Sequence, residues 1–221
     1  ILGFMLQGLS LDGCSVKPTD LDIRILYECP DYVVVHKPAG LLSVPGKNPD
    51  EHSVLASLTL RYPSAHSPLI VHRLDMDTSG LMVVALTEQS YHALQQQFLQ
   101  RAIHKTYLAL LEHPMQVGAE GDIRLPLRPD ILDRPRQMVD VRRGKYAQTH
   151  YRVLGNEGGH ARVALTPVTG RTHQLRVHCA HPDGLGNPIV GDRLYGTPGA
   201  RLMLHAYQIT INNITYTDDE Y

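Results

Sequence analysis

Two short apolar runs rich in β-branched residues, Tyr32-Val33-Val34-Val35-His36 and residues 81–87, most narrow what this chain can fold into. They are too short for core helices, and β-branched side chains pack well on a pleated surface, so both read as buried strands. The first runs into a turn at Lys37-Pro38-Ala39-Gly40, and the second is entered from Gly80. Over residues 88–100, Tyr91, Leu94 and Phe98 recur at near-helical spacing with glutamines between them, which predicts an amphipathic helix with that side in the core. Further strands are predicted at 106–111, 149–154, 162–166 and 207–211, separated by Gly and Pro turns. Two or three helices among so many strands do not give the alternation of a doubly wound parallel sheet. The expectation is an α+β fold, a mixed and largely antiparallel sheet with flanking helices.

Residues 1–22 show no period, and Pro18, Asp20 and Asp22 suggest an arm or linker ahead of one folded unit over 23–221. A start at Ile1 rather than Met implies a longer gene product. No apolar run approaches the roughly 20 residues of a membrane-spanning helix, and the first residues lack the basic flank of a signal peptide. Cys14, Cys29 and Cys179 form neither a disulfide framework nor a metal-binding pair, which fits a cytoplasmic protein with reduced thiols. A net charge of −1 conceals a distribution: both ends are acidic, while residues 23–212 carry 20 Lys and Arg against 16 Asp and Glu. The most basic stretch holds Arg128, Arg134, Arg136, Arg142, Arg143 and Lys145. Charge alone fits either a phosphate-binding surface or a solvated loop.

Two polar clusters could carry chemistry. In His72-Arg73-Leu74-Asp75-Met76-Asp77-Thr78-Ser79-Gly80, at the mouth of a strand, two carboxylates beside an arginine could act as acid and base, bind a metal, or cap a turn. In Gly170-Arg171-Thr172-His173-Gln174-Leu175-Arg176-Val177-His178, two arginines and two histidines could face an anion or nucleic acid, or tie down loops. His173, His178 and His181 lack the spacing of a zinc site, so no metal is expected. A glycosidase-type carboxylate pair would need an acid across a pocket from Asp75, and Asp77 is close in sequence.

His72-Arg73-Leu74-Asp75 followed by Thr78-Ser79-Gly80 resembles the central motif of the RluA branch of RNA pseudouridine synthases. Lys37-Pro38-Ala39-Gly40-Leu41, Lys105-Thr106-Tyr107, the 170–178 cluster, Gly191-Asp192-Arg193-Leu194-Tyr195-Gly196 and Arg201-Leu202-Met203-Leu204-His205-Ala206 agree with that branch in order and spacing. Within it, Leu42-Ser43-Val44-Pro45-Gly46 and residues 71–87 look most like members that modify both ribosomal and transfer RNA. The chain departs from the branch at Asn187, where a basic residue or His is usual, and after Ile211.

The resemblance implies a pseudouridine synthase fold with a central RNA-binding cleft, acting without cofactor on structured RNA, a ribosomal or transfer RNA stem-loop, as a monomer. The bond from ribose C1′ to uracil N1 breaks, the base turns, and C1′ rejoins at C5. Asp75 is implied as the carboxylate, either a nucleophile or a base toward the 2′ proton. Arg176 is implied as the cation that keeps Asp75 charged, and Tyr107 as the ring stacked on the uracil. Arg73 is implied to fill the gap left by the flipped nucleotide and Leu175 to wall the uracil pocket, with His72 and Arg171 also on the substrate side. Lys37 and the 128–145 stretch are candidate phosphate contacts. An inactive RNA-binding homologue is the alternative, and the presence of Asp75, Tyr107 and Arg176 speaks against it.

Overall fold

The computed structural model describes residues 23–48, 51–63 and 68–220, so the predicted arm over 1–22 and Cys14 lie outside the described residues. In chain order the elements are β1 (Ile25–Glu28), β2 (Tyr32–Lys37), α1 (Val54–Arg61), β3 (Leu69–Ile70), β4 (Ser79–Ala85), α2 (Glu88–Leu99), β5 (His104–Leu111), β6 (Glu120–Ile123), β7 (Leu127–Pro129), β8 (Gln137–Val139), β9 (Thr149–Glu157), β10 (His160–Pro167), α3 (Gln174–Ala180), β11 (Leu204–Ile211) and β12 (Ile214–Thr217). One sheet runs β1-β2-β4-β11-β5-β10-β9-β6, with β3 added to β4 and β12 to β11, while β7 and β8 form a separate hairpin. The sheet is mixed and mostly antiparallel, as expected: among the described strands only β4 and β11 pair in parallel.

The strands β2 and β4 lack a polar alternation because both faces of the sheet are covered there. Val33, Val35, Met82 and Val84 enter one apolar cluster with Val54 and Leu58 of α1. Tyr32, Val34, Leu81 and Val83 enter another with Leu94 and Phe98 of α2. Toward β9 the outer face opens to water: Val153 is buried while Arg152 and Leu154 are exposed. The helix α2 begins at Thr87, which exchanges hydrogen bonds with Ser90 in a reciprocal cap.

Strands β4 and β11 join the two halves of the sheet at Gly80, whose φ is +109° and where a Cβ would lie 2.4 Å from the Ala206 carbonyl oxygen. Only a glycine lets β4 approach this closely, directly after the loop that carries Asp75. The C-terminal hairpin closes through Asn212 and Asn213, both at positive φ. It places Asp218 against His36 (2.5 Å), while His205 donates from Nε2 to the Asp218 carbonyl and faces Ser79 at 2.9 Å through Nδ1. The chain after Ile211 is therefore one more strand and a buried polar tie to the start of β4.

Candidate active site

The loop between β3 and β4 projects Asp75 into a cleft of about 1080 Å³ whose walls come from residues 42–46, 70–76 and Thr78, the end of α2, β5 and the 167–176 segment. The loop is pinned on both sides of the carboxylate. Leu74 exchanges two hydrogen bonds with the Ser43 hydroxyl, at 3.1 and 2.8 Å. The Met76 carbonyl accepts from Gly40 N at 2.8 Å and from Lys37 Nζ at 2.9 Å, and the Asp75 carbonyl accepts from Thr78 N at 3.1 Å. Asp75 itself is half-buried. The turn reading of 72–80 and the catalytic reading are thus compatible, because the turn presents the carboxylate.

Lys37 does not occupy the surface. It is fully buried, and its ammonium donates to the carbonyls of Pro38, Leu41 and Met76 at 3.0, 2.7 and 2.9 Å. All three donors are used inside the protein, so the expected phosphate contact is corrected to a buried cation beneath the Asp75 loop. Burial lowers its pKa to about 8, and the charges of Asp75 and Asp77 oppose that shift.

Arg176 is also buried, and its bidentate partner is Asp192, at 2.8 Å from Nε and 2.6 Å from Nη2. Among the described residues no ion pair within 4 Å joins it to Asp75, and its nearer loop carboxylate is Asp77 at 3.9 Å. Burial opposes its charge, but Asp192, Asp75 and Asp77 together raise its pKa. The guanidinium acts on Asp75 through its field rather than by a direct bond. Asp77 turns away to Arg193 at 3.0 Å and is not on the cleft wall, which removes the carboxylate pair that a glycosidase needs.

Tyr107 on β5 is buried on the cleft wall, and burial first, then the charge of Asp75, push its phenol up. It therefore remains a protonated donor at neutral pH. Leu175 lines the cleft, Arg73 lies exposed there, and Arg171 is exposed with its Nε on the Tyr146 carbonyl at 3.0 Å. His72 accepts from Val83 N through Nε2 at 3.0 Å, so its ring proton sits on Nδ1, a buried donor without a hydrogen-bond partner among the described residues. Burial, reinforced by Lys105, lowers His72 to about 3, so it is neutral.

The 170–178 cluster divides: Gly170, Arg171 and Thr172 are exposed on the cleft wall, whereas Gln174 through Cys179 are all buried in α3. His178 ties loops together, facing Thr149 Oγ1 at 2.9 Å and the Leu125 carbonyl at 3.1 Å. His173 bonds to Tyr195 and His181 accepts from Asp183 N, so the three histidines do not converge. In the basic stretch, Arg128 and Arg136 are spent on Asp140 and Asp133, while Arg134, Arg142, Arg143 and Lys145 remain exposed. Asn187 is buried and holds the backbone of His113 at both N and O, away from the cleft wall. Sequence reasoning quoted Ser43, Asp192 and Tyr195 only as parts of motifs and gave them no role.

Arg73, Arg101, Lys105, Arg171 and Arg176 line the cleft, and Asp75 is the sole carboxylate among its described lining residues. Residues 31–181, which include that loop, Tyr107 and Arg176, match the family model described as RNA pseudouridylate synthase. The chain belongs to this family. Among curated pseudouridine synthases, the dual-specificity RNA pseudouridine synthase RluA of Escherichia coli strain K12 is 47% identical over 208 residues, covering 90% of this chain and 91% of that protein. The protein of the same name from Haemophilus ducreyi is 44% identical over 203 residues, covering 88% and 89%. Among solved structures, human RNA pseudouridylate synthase domain containing 1 superposes with a TM-score of 0.74 at 29% identity, covering 90% of this chain and 84% of that one. Human RNA pseudouridylate synthase domain containing 4 gives 0.69 at 25% identity, covering 89% and 88%.

Proposed function

We propose that this RNA pseudouridine synthase isomerises uridines in loops of both ribosomal and transfer RNA, with Asp75 as its carboxylate. The observation that carries the reading is one carboxylate held on a pinned loop in a cleft whose other charged lining residues are cations. A polyanionic strand is attracted to such a cleft, and one carboxylate meets the demand of a reaction that needs no metal. The target nucleotide leaves its stack, at a cost of a few kcal/mol that loops minimise, and Arg73 moves into the space it vacates.

Lys37 below the loop and Arg176 beside it place positive charge around the carboxylate that works on the nucleotide. Tyr107 and Leu175 hold the base as its bond to C1′ breaks, and His72 and Arg171 lie on the nucleotide's side of the cleft. The base then turns and C5 bonds to C1′. The C5 proton leaves to solvent and N1 gains one, so the composition is unchanged. The phenol of Tyr107 remains protonated, so it serves as a hydrogen-bond donor to the uracil rather than as a free phenolate base. Arg134, Arg142, Arg143 and Lys145 reach the phosphates flanking the target.

Among the described residues no helix is long and apolar enough to cross a membrane. We read the protein as a cytoplasmic monomer whose catalytic domain spans 23–221. The substrate assignment is tested by mapping pseudouridine in ribosomal and transfer RNA from a strain that lacks the enzyme, before and after adding the protein. New positions in both RNA classes are expected, and modification confined to one class would overturn the dual assignment.

A further inference from the structure

The β7–β8 hairpin stands outside the main sheet and meets the rest of the molecule along a narrow seam. Leu127, Ala147 and Val177, with Val139 and Tyr195 against them, make a small apolar cluster separate from the main core. Beside this seam a cavity of about 590 Å³ lies between the hairpin and α3. Tyr195 spans the junction. Its hydroxyl lies 2.7 Å from Gln137 N, the first residue of β8, and 2.7 Å from His173 Nδ1 at the start of α3. The guanidiniums of Arg136, on the hairpin, and Arg176, on α3, stand over its ring at 5.9 and 5.4 Å. Its backbone N–H bonds to Asp192, the carboxylate that grips Arg176.

Hydrogen-bond accounting limits where the protons can sit. A backbone N–H can only donate, so the Tyr195 oxygen accepts from Gln137, which leaves its own proton available to His173 Nδ1 at 2.7 Å. With that proton donated, His173 is a neutral imidazole carrying its own proton on Nε2. Its backbone lies at φ +53°, in the left-handed region that non-glycine residues seldom occupy. Asp75 and Asp77 from the loop before β4, Arg176 from α3 and Asp192 from the segment after it all act on the imidazole, and burial keeps its pKa below the ordinary value.

We propose that Tyr195 is a positioning residue, through which seating of the basic β7–β8 hairpin on RNA phosphates sets the protonation of His173 and the placement of Arg176 beside Asp75. The idea rests on the synthase reading. It assigns Tyr195 a role that the cleft does not reveal, because Tyr195 is not on the cleft wall. RNA held by Arg134, Arg142, Arg143 and Lys145 fixes the hairpin, and the bond from Gln137 then commits the hydroxyl proton to His173. With the hairpin displaced, the hydroxyl is free to turn, and His173 can take up a proton beside Arg176.

The test is Tyr195→Phe, which keeps the ring under both guanidiniums and removes only the oxygen. In single-turnover reactions on RNA from a strain lacking the enzyme, the rate is expected to fall about tenfold, as for loss of one well-placed hydrogen bond. RNA affinity should change less than about twofold, and the acid limb of the rate–pH profile should move up, because His173 without its donor protonates more readily. A Phe variant with the wild-type rate and limb would overturn the proposal. A second readout needs no turnover: nitrogen NMR of the wild-type histidines should show His173 with an accepting Nδ1 and a protonated Nε2. A proton on Nδ1 overturns the proposal even if the variant fails to fold. Absence of turnover by the wild type would instead sink the synthase reading, and the NMR result would still decide the Tyr195–His173 bond.

Discussion

Lys37→Met removes the buried cation beneath the Asp75 loop while keeping most of its volume, and its effects on stability and on turnover should separate. Burial that lowers the lysine from 10.5 to about 8 costs folding about 3 kcal/mol, which Met recovers. Against this stand three hydrogen bonds to backbone carbonyls, worth about 1–1.5 kcal/mol each. The net change in stability is therefore expected within about 2 kcal/mol. Turnover loses a positive charge beneath the Asp75 loop; in a medium of effective dielectric near 20 such a charge changes the energy of charge developing in the cleft by about 1–3 kcal/mol, or roughly 10–100-fold in rate.

The assay is single-turnover tritium release from C5-labelled uridine across alkaline pH, alongside urea unfolding. In the wild type the rate should decline as pH rises through about 8, where the folded lysine discharges. Stability should move the other way. The folded pKa lies below the unfolded one, so between about 8 and 10.5 the unfolded chain holds more protons and stability rises with pH. The Met variant should show a low rate without that limb and no such rise in stability. A Met variant with the wild-type rate and the same alkaline limb would refute the reasoning.

Gly80→Ala drives a Cβ to 2.4 Å from the Ala206 oxygen at a positive φ; a loss of about 3 kcal/mol is expected by urea unfolding, and a neutral result would mean that β4 and β11 can spread. Asp192→Asn leaves the buried Arg176 without its carboxylate, so a loss of about 3 kcal/mol is expected, with turnover falling further than RNA binding. His72, His173, His178 and His205 are all lowered by burial. The unfolded chain therefore binds more protons once pH drops below about 6.5, and stability should fall by up to about 1.4 kcal/mol per pH unit for each histidine. Flat stability from pH 7 to 5 would contradict their neutral burial.

The strands β2 and β4 and the helix α2 were legible because each is long enough for its own period to show. The helix α1 was not, although Ser53 marks its start by accepting from Ala56 N, because eight residues that bury only Val54 and Leu58 give little pattern. The final hairpin was not read from the sequence, although Asn212-Asn213, a pair suited to positive φ, forms its turn. The helix α3 hid behind its polarity: Gln174, Arg176 and His178 are buried on partners such as Thr149 and Asp192, far away in the chain. Lys37 misled for the same reason. A lysine ahead of Pro-Ala-Gly reads as a surface turn, and only the return of the Asp75 loop over it supplies the carbonyls that bury it. Motif resemblance located Asp75, Tyr107 and Arg176, but the bonds that hold them are tertiary.

The measurement that bears most directly on the central claim is tritium release from C5-labelled uridine in RNA from a strain lacking the enzyme, comparing wild type with Asp75→Asn. The account predicts release by the wild type and none by the variant, with RNA affinity retained within a few fold because only a charge is removed. Release by Asp75→Asn near the wild-type rate would contradict it.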